Sequence, residues 1–220
     1  MERIEVELHA FRHAESAGNM KSHIIGGRSD HFQLSPAGPA QATALGLQLL
    51  ERSMFPDVVC SSVAIRAQET GKIVLQTMGL TNIHLDIVEG LHEVDQGEFT
   101  GRLREEIWTP ELIKIATEQG KDFSAPGGES FNEAGLLAHA TFDAYIARHV
   151  IPEDRPLRVF AFMHGLRIRC FASRLHDWTY DQTRSTSVPN VSDSLFVRQQ
   201  GHWKLIQMGM SSPQPLETLL

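Results

Sequence analysis

The chain has 220 residues, enough for one α/β domain with a sizeable core. Hydrophobic residues make up 41% and charged residues 21%, the balance of a globular chain rather than a disordered or fibrous one. The formal net charge of -7 argues against general nucleic-acid binding, which uses a basic face, but not against an anionic small molecule in a locally positive pocket.

The first predicted strand, residues 3–11, alternates as Ile4-Val6-Leu8-Ala10 and runs into Arg12-His13 and a polar loop with Asn19. A glycine-rich loop follows, Gly26-Gly27-Arg28-Ser29-Asp30. Ser35-Pro36 reads as a cap and first-turn proline opening a helix over 36–52. A second strand, 57–61, ends at Ser62 and leads to a helix over 64–78 that carries Arg66 near its start. A third strand at 83–88 precedes the acidic segment Leu91-His92-Glu93-Val94-Asp95-Gln96-Gly97-Glu98. Helices are expected over 103–119 and 128–149, with the breaker Ser124-Ala125-Pro126-Gly127-Gly128 between them. The apolar strand 157–163 ends in His164-Gly165 and opens a helix over 165–176. Strands at 194–199 and 203–208 flank Gln200-Gly201-His202, a hairpin-like connection.

Strand, loop and helix in repetition is the signature of a mostly parallel sheet covered on both faces, here with an antiparallel edge. The expectation is a single domain over 1–210, with 211–220 as a tail, read as disordered. Cys60 and Cys170 fall in apolar segments and are expected to be buried thiols; they make neither a zinc pattern nor a disulfide framework. The N-terminal Met1-Glu2-Arg3-Ile4-Glu5 has no apolar signal region, and no stretch nears the ~18 apolar residues of a membrane span. A cytoplasmic protein without nucleic-acid or membrane partners is expected. The oligomeric state is left open, a homodimer included.

Two histidines at two strand ends point to phosphate chemistry. A neutral imidazole can attack phosphorus, and ligands of open α/β sheets bind outside the carboxyl ends of the strands. Arg12 is placed to fork onto phosphate oxygens. Arg66 at a helix start makes an anion site. His164, in its proton-bearing form, would add positive charge. Glu93, just beyond the third strand, is the candidate acid, with Asp95 and Glu98 as alternatives. Arg28 is either solvated or reaches the substrate. Glu129 is either a helix-start carboxylate or a pocket residue. Arg167 and Arg169 are read as structural or surface charges, and His9 carries no signal.

Taken together, these blocks resemble the histidine phosphatase superfamily, which includes cofactor-dependent phosphoglycerate mutases. Its Arg-His-Gly hallmark reads here Phe11-Arg12-His13-Ala14-Glu15-Ser16, with alanine for glycine as in some branches. Ser61-Ser62-Val63-Ala64-Ile65-Arg66, the Glu93 segment through Gly101, Pro126-Gly127-Gly128-Glu129-Ser130, Met163-His164-Gly165 and Asn190-Val191-Ser192 follow in family order. The resemblance implies a three-layer α/β/α sandwich and no metal or cofactor. It implies His13 as phosphorylated nucleophile, Arg12, Arg66 and His164 as phosphate clamp, Glu93 as proton donor and Asn19 as a pocket contact, with Gly165 beside His164. The expected function is hydrolysis of a small phosphate monoester through a phosphohistidine. The alternatives are mutase-like phosphotransfer and a catalytically silent phosphoester-binding protein. The interval from Glu93 to His164, shorter than in the longer cofactor-dependent mutases, favours hydrolysis.

Overall fold

The structure, a computed structural model, describes residues 3–219. Six strands form one sheet: β1 (Ile4–Arg12), β2 (Val58–Ser61), β3 (Leu85–Ile87), β4 (Leu157–Met163), β5 (Asp193–Gln199) and β6 (His202–Met210). Their order is β3-β2-β4-β1-β5-β6. The pairings of β3, β2, β4 and β1 are parallel, while β5 and β6 complete the sheet antiparallel. Arg12 of β1 pairs with Met163 of β4, so the residues that follow, His13 and His164, leave adjacent strands side by side.

Helices α1 (Gly38–Glu51) and α2 (Ile65–Thr77) cover one face, over Phe11, Phe160 and Phe162. On the other face, α5 (Phe131–Ile146) and α6 (Gly165–His176) lie over Val6, Leu8, Val159 and Ala161. This is the expected α/β sandwich with one antiparallel edge. Cys60 and Cys170 are both buried free thiols. No helix among the described residues is long and apolar enough to cross a membrane.

Local differences have local causes. The helix predicted from 36 begins at Gly38 with Pro39 in its first turn, because the Ser35 hydroxyl donates to Glu15 at 2.6 Å instead of capping. The helix predicted over 103–119 is two, α3 (Arg104–Ile107) and α4 (Pro110–Gln119). Pro110 disfavours helical backbone in the residue before it, and Thr109 caps the new start by accepting the Leu112 N–H at 3.3 Å. The helix predicted from 128 starts at Phe131, behind a capping box of Ser130 and Glu133. A short helix, α7 (Tyr180–Ser185), was not foreseen; Thr179 and Gln182 cap it. The tail is not loose either: Leu216 is buried against Leu195 and Val197.

Glu7 and His9 alternate with the apolar residues of β1, and both are buried. His9 Nε2 lies 2.9 Å from Glu7 and its Nδ1 2.7 Å from Asp193, while Arg158 meets Glu7 at 2.9 Å. Helices on both faces leave no solvent side to this strand, so its polar residues are held by countercharges. Burial opposes a charge on His9, but Asp193 and Glu7 prevail and raise its pKa to about 9.

Candidate active site

The carboxyl ends of β1, β2 and β4 open into a cleft of about 1000 Å³, walled also by the loops around residues 18–29, 93–96 and 186–190. His13 sits at its floor, 4% exposed. Its Nδ1–H donates to the Ala14 carbonyl at 2.7 Å. Its Nε2 accepts from Arg66 Nε at 3.1 Å. A guanidinium has no lone pair to offer, so the tautomer is set: the proton is on Nδ1 and the lone pair on Nε2 points toward Arg66. Burial and then the charge of Arg66 hold the His13 pKa well below the ordinary imidazole value, with Arg12 adding to the effect.

His164 stands at the N-cap of α6 and is fully buried behind this floor. Arg66 Nη2 lies 3.2 Å from its Nδ1, and its Nε2 lies 2.8 Å from the Ser62 hydroxyl. The proton therefore sits on Nε2 and the ring is neutral. Burial, Arg66 and His13 push its pKa well below the ordinary value. The expected positive charge on His164 is absent here; one guanidinium joins two neutral imidazoles whose centroids are 5.2 Å apart.

Neighbouring groups fix the backbone around His13. Its own N–H donates to Met163 at 2.9 Å, and Asn190 donates to its carbonyl at 2.8 Å. The Thr70 hydroxyl accepts from Ala14 N at 3.0 Å and donates to the Arg66 carbonyl at 2.7 Å, tying α2 to the histidine loop. Arg12 donates from Nη1 to the Val188 carbonyl at 2.7 Å, and its buried Nε has no hydrogen-bond partner among the described residues. Gly165 lies against that guanidinium: a Cβ there would come within 3.2 Å of Arg12 Cδ. Gly165 lines the cleft and gives Arg12 room. Asn19 also lines it, its Oδ1 accepting from the Ser16 N–H at 3.0 Å.

Glu93 reaches the same cleft from beyond β3. Its Oε1 accepts from Val94 N at 2.9 Å and Arg167 N at 3.0 Å, and its Oε2 from Leu166 N at 3.4 Å. The carboxylate thus occupies the N-terminal end of α6, where the helix dipole favours negative charge. Asp95 and Glu98 do not line the cleft. Asp95 accepts instead from Gly97 N at 2.8 Å.

Arg28 turns away from the cleft. Its guanidinium donates to the Glu93 carbonyl at 3.3 Å and meets Glu129 at 3.2 Å. It braces the acidic loop rather than facing a ligand. Arg167 is a structural charge, fully buried, donating to His92 and Ala134 carbonyls and to Glu129. Glu129 both lines the cleft and accepts from Asp95 N at 2.9 Å. Arg169, read as structural or surface, lines the cleft. Its signal lay in helical spacing: it follows Gly165 by four residues, on the same face of α6. Thr70, four residues after Arg66, was missed and was legible the same way. Among the described residues, no three His, Cys, Asp or Glu side chains group to hold a metal ion.

A doubly covered, mostly parallel sheet with two imidazoles joined by one guanidinium at its carboxyl edge defines the general class, an α/β protein with an arginine-lined cleft. Comparison with known proteins narrows it. Residues 8–211 match the model of the histidine phosphatase superfamily, branch 1, and the chain belongs to that enzyme superfamily. The 2,3-bisphosphoglycerate-dependent phosphoglycerate mutase of Methylobacterium radiotolerans is 31% identical over 185 residues, 83% of this chain and 83% of the relative. The same-named protein of Chelativorans sp. is 30% identical over 165 residues, 73% of this chain and 77% of the relative. Among solved structures, a phosphoglycerate mutase from Bacillus anthracis shares the fold with a TM-score of 0.78 at 24% identity, covering 96% of this chain and 95% of that one. A mycobacterial glucosyl-3-phosphoglycerate phosphatase does so with a TM-score of 0.77 at 21% identity, covering 93% and 99%.

Proposed function

We propose that this protein hydrolyses a small phosphate monoester through a phosphohistidine at His13. The observation that carries the reading is the tautomer of His13, whose Nδ1–H is tied to Ala14 and whose Nε2 carries the lone pair, accepting from the cleft-lining Arg66. In the resting site Arg66 Nε covers that lone pair. An arriving phosphate draws the guanidinium onto its oxygens and frees the nitrogen. Nε2 then attacks phosphorus in line; the N–P bond forms as the P–O ester bond breaks. Glu93, which takes up a proton before this step, gives it to the leaving oxygen. Arg12 and Arg66 meet the charge on the transferring group. The Ala14 carbonyl, bonded to Nδ1–H, steadies the positive charge the ring acquires. In the second step water attacks phosphorus, Glu93 takes its proton, the N–P bond breaks and phosphate leaves.

The cleft, at about 1000 Å³, has room for water beside a small phosphate ester, as hydrolysis requires. Phosphotransfer between positions of a phosphoglycerate is the second reading, supported by the names of the 30–31% identical relatives.

The test is a rapid quench of the protein with an aryl phosphate, followed by peptide mapping and phosphate release. An acid-labile phosphoryl group on His13, absent in His13→Ala, and stoichiometric inorganic phosphate are expected. Label on another residue refutes the mechanism. Label on His13 that passes to phosphoglycerate rather than to water selects the mutase.

A further inference from the structure

The cationic side chains of this acidic chain are not evenly neutralised. Arg28, Arg155, Arg158, Arg167 and Arg198 each pair with a carboxylate. Arg12, Arg66, Arg104 and Arg169 form no ion pair among the described residues, and all four line the cleft. Arg184, also on its wall, has only the loosely placed Asp181 at 3.8 Å. Arg12 and Arg66 match the two charges of one phosphate dianion. That leaves Arg104 and Arg169 without an ion-pair partner among the described residues, and Arg184 with a long, solvent-exposed one.

Arg104 and Arg169 are held by neutral carbonyls. Arg104 Nε donates to Ser22 at 2.8 Å, Arg169 Nε to Gly165 at 3.3 Å, and Arg169 Nη1 to the carbonyl of Arg184. Such bonds orient a guanidinium and leave other donors of its fork free. They also lie close enough to feel one another. Burial lowers the pKa of Arg169, Glu93 opposes this, and the charges of Arg104 and Arg184 lower it further.

Next to them the cleft wall is aromatic. Trp108, Phe123, Phe131 and Tyr180 all line it. Phe131 stacks on Tyr180 with centroids 5.0 Å apart, and Trp108 lies 6.0 Å from Phe123. Large ring surfaces on a binding wall favour a flat apolar partner.

We infer that the substrate is a phosphate monoester whose leaving group has a flat apolar body and a second anionic group, carboxylate or phosphate. The ester phosphate meets Arg12 and Arg66, the body lies on the aromatic wall, and the second anion meets Arg104, Arg169 and Arg184. This rests on the phosphoester reading of the site and extends it to the leaving group.

The test uses phosphonates, which the protein cannot hydrolyse, so binding is read without turnover. Calorimetry compares benzylphosphonate with its 3- and 4-carboxy derivatives and its 4-phosphono derivative on the wild-type protein. A second acid is expected to tighten binding by roughly tenfold or more, as charge-assisted hydrogen bonds do. The better of the carboxy and phosphono compounds identifies the second anion. In the Arg104→Gln/Arg184→Gln double variant, both positions being exposed, that gain is expected to shrink at least about threefold. Benzylphosphonate binding with no gain from any second acid overturns the inference and leaves the phosphoester reading standing. A gain that persists in full in the double variant also overturns the assignment. Failure of every phosphonate to bind overturns both.

Discussion

Raising the pH from 6.5 to 9 is expected to remove a defined part of this protein's stability by discharging His9. That ring is wholly buried between Glu7 and Asp193, with Arg158 on the far side of Glu7. Folding raises its pKa from 6.5 to about 9 against the cost of burial. A rise of that size corresponds to about 3 kcal/mol. Because the folded state binds the proton more tightly, the stabilisation is present in full below pH 6.5. It falls by about 1.4 kcal/mol per pH unit between 6.5 and 9 and is gone above that. Urea unfolding at 25 °C across pH 6–10 measures it, with His9→Gln as the comparison, since glutamine does not titrate. The variant should be less stable at pH 6.5, where it leaves two buried carboxylates short of a cation, and the gap should close as pH rises. Wild-type and variant stabilities that run parallel over this range, or a ring with only one protonated nitrogen by 15N NMR at pH 7.5, would refute the charge assignment.

Two further outcomes concern the cleft. Glu93→Gln should slow phosphorylation of His13 by alkyl phosphates by ~10²–10⁴-fold and by activated aryl phosphates much less; single-turnover rates across leaving groups of different pKa decide it, and equal slowing of all would move the proton to another group. Gly165→Ala sets a methyl 3.2 Å from Arg12 Cδ and 3.3 Å from its Nε, so kcat/KM for phosphate esters should fall roughly ten- to a hundredfold while the thermal midpoint holds or rises, and unchanged kinetics would mean that Arg12 yields without consequence.

The parts of the site legible in sequence were those marked by the chain itself. Arg12-His13, Arg66, Glu93 and His164 each follow a strand that its own periodicity reveals, and a parallel sheet gathers such ends at one edge. What escaped depends on partners far away in sequence. The neutral state of His164 follows from Arg66, and the buried charge of His9 from Asp193; no local pattern announces either. The role of Arg28 turned on Glu129, a residue on another loop. The break between α3 and α4 was readable, since Pro110 stands inside the helix expected over 103–119. Leu216 looked like part of a loose tail because its contacts, Leu195 and Val197, lie on β5.

His9 and His13 stand on one strand and its extension, four residues apart, and their surroundings drive them in opposite directions: carboxylates hold a proton on the first, and burial beside guanidiniums keeps one off the second. His9 is sealed in the core. Arg66 donates to the lone pairs of both His13 and His164, so one guanidinium masks two neutral rings at once. A histidine-directed acylating reagent is therefore expected to leave the cleft-lining His13 largely unmodified until Arg66 is removed or drawn aside, a masked reactivity made by the fold rather than by any added chemistry.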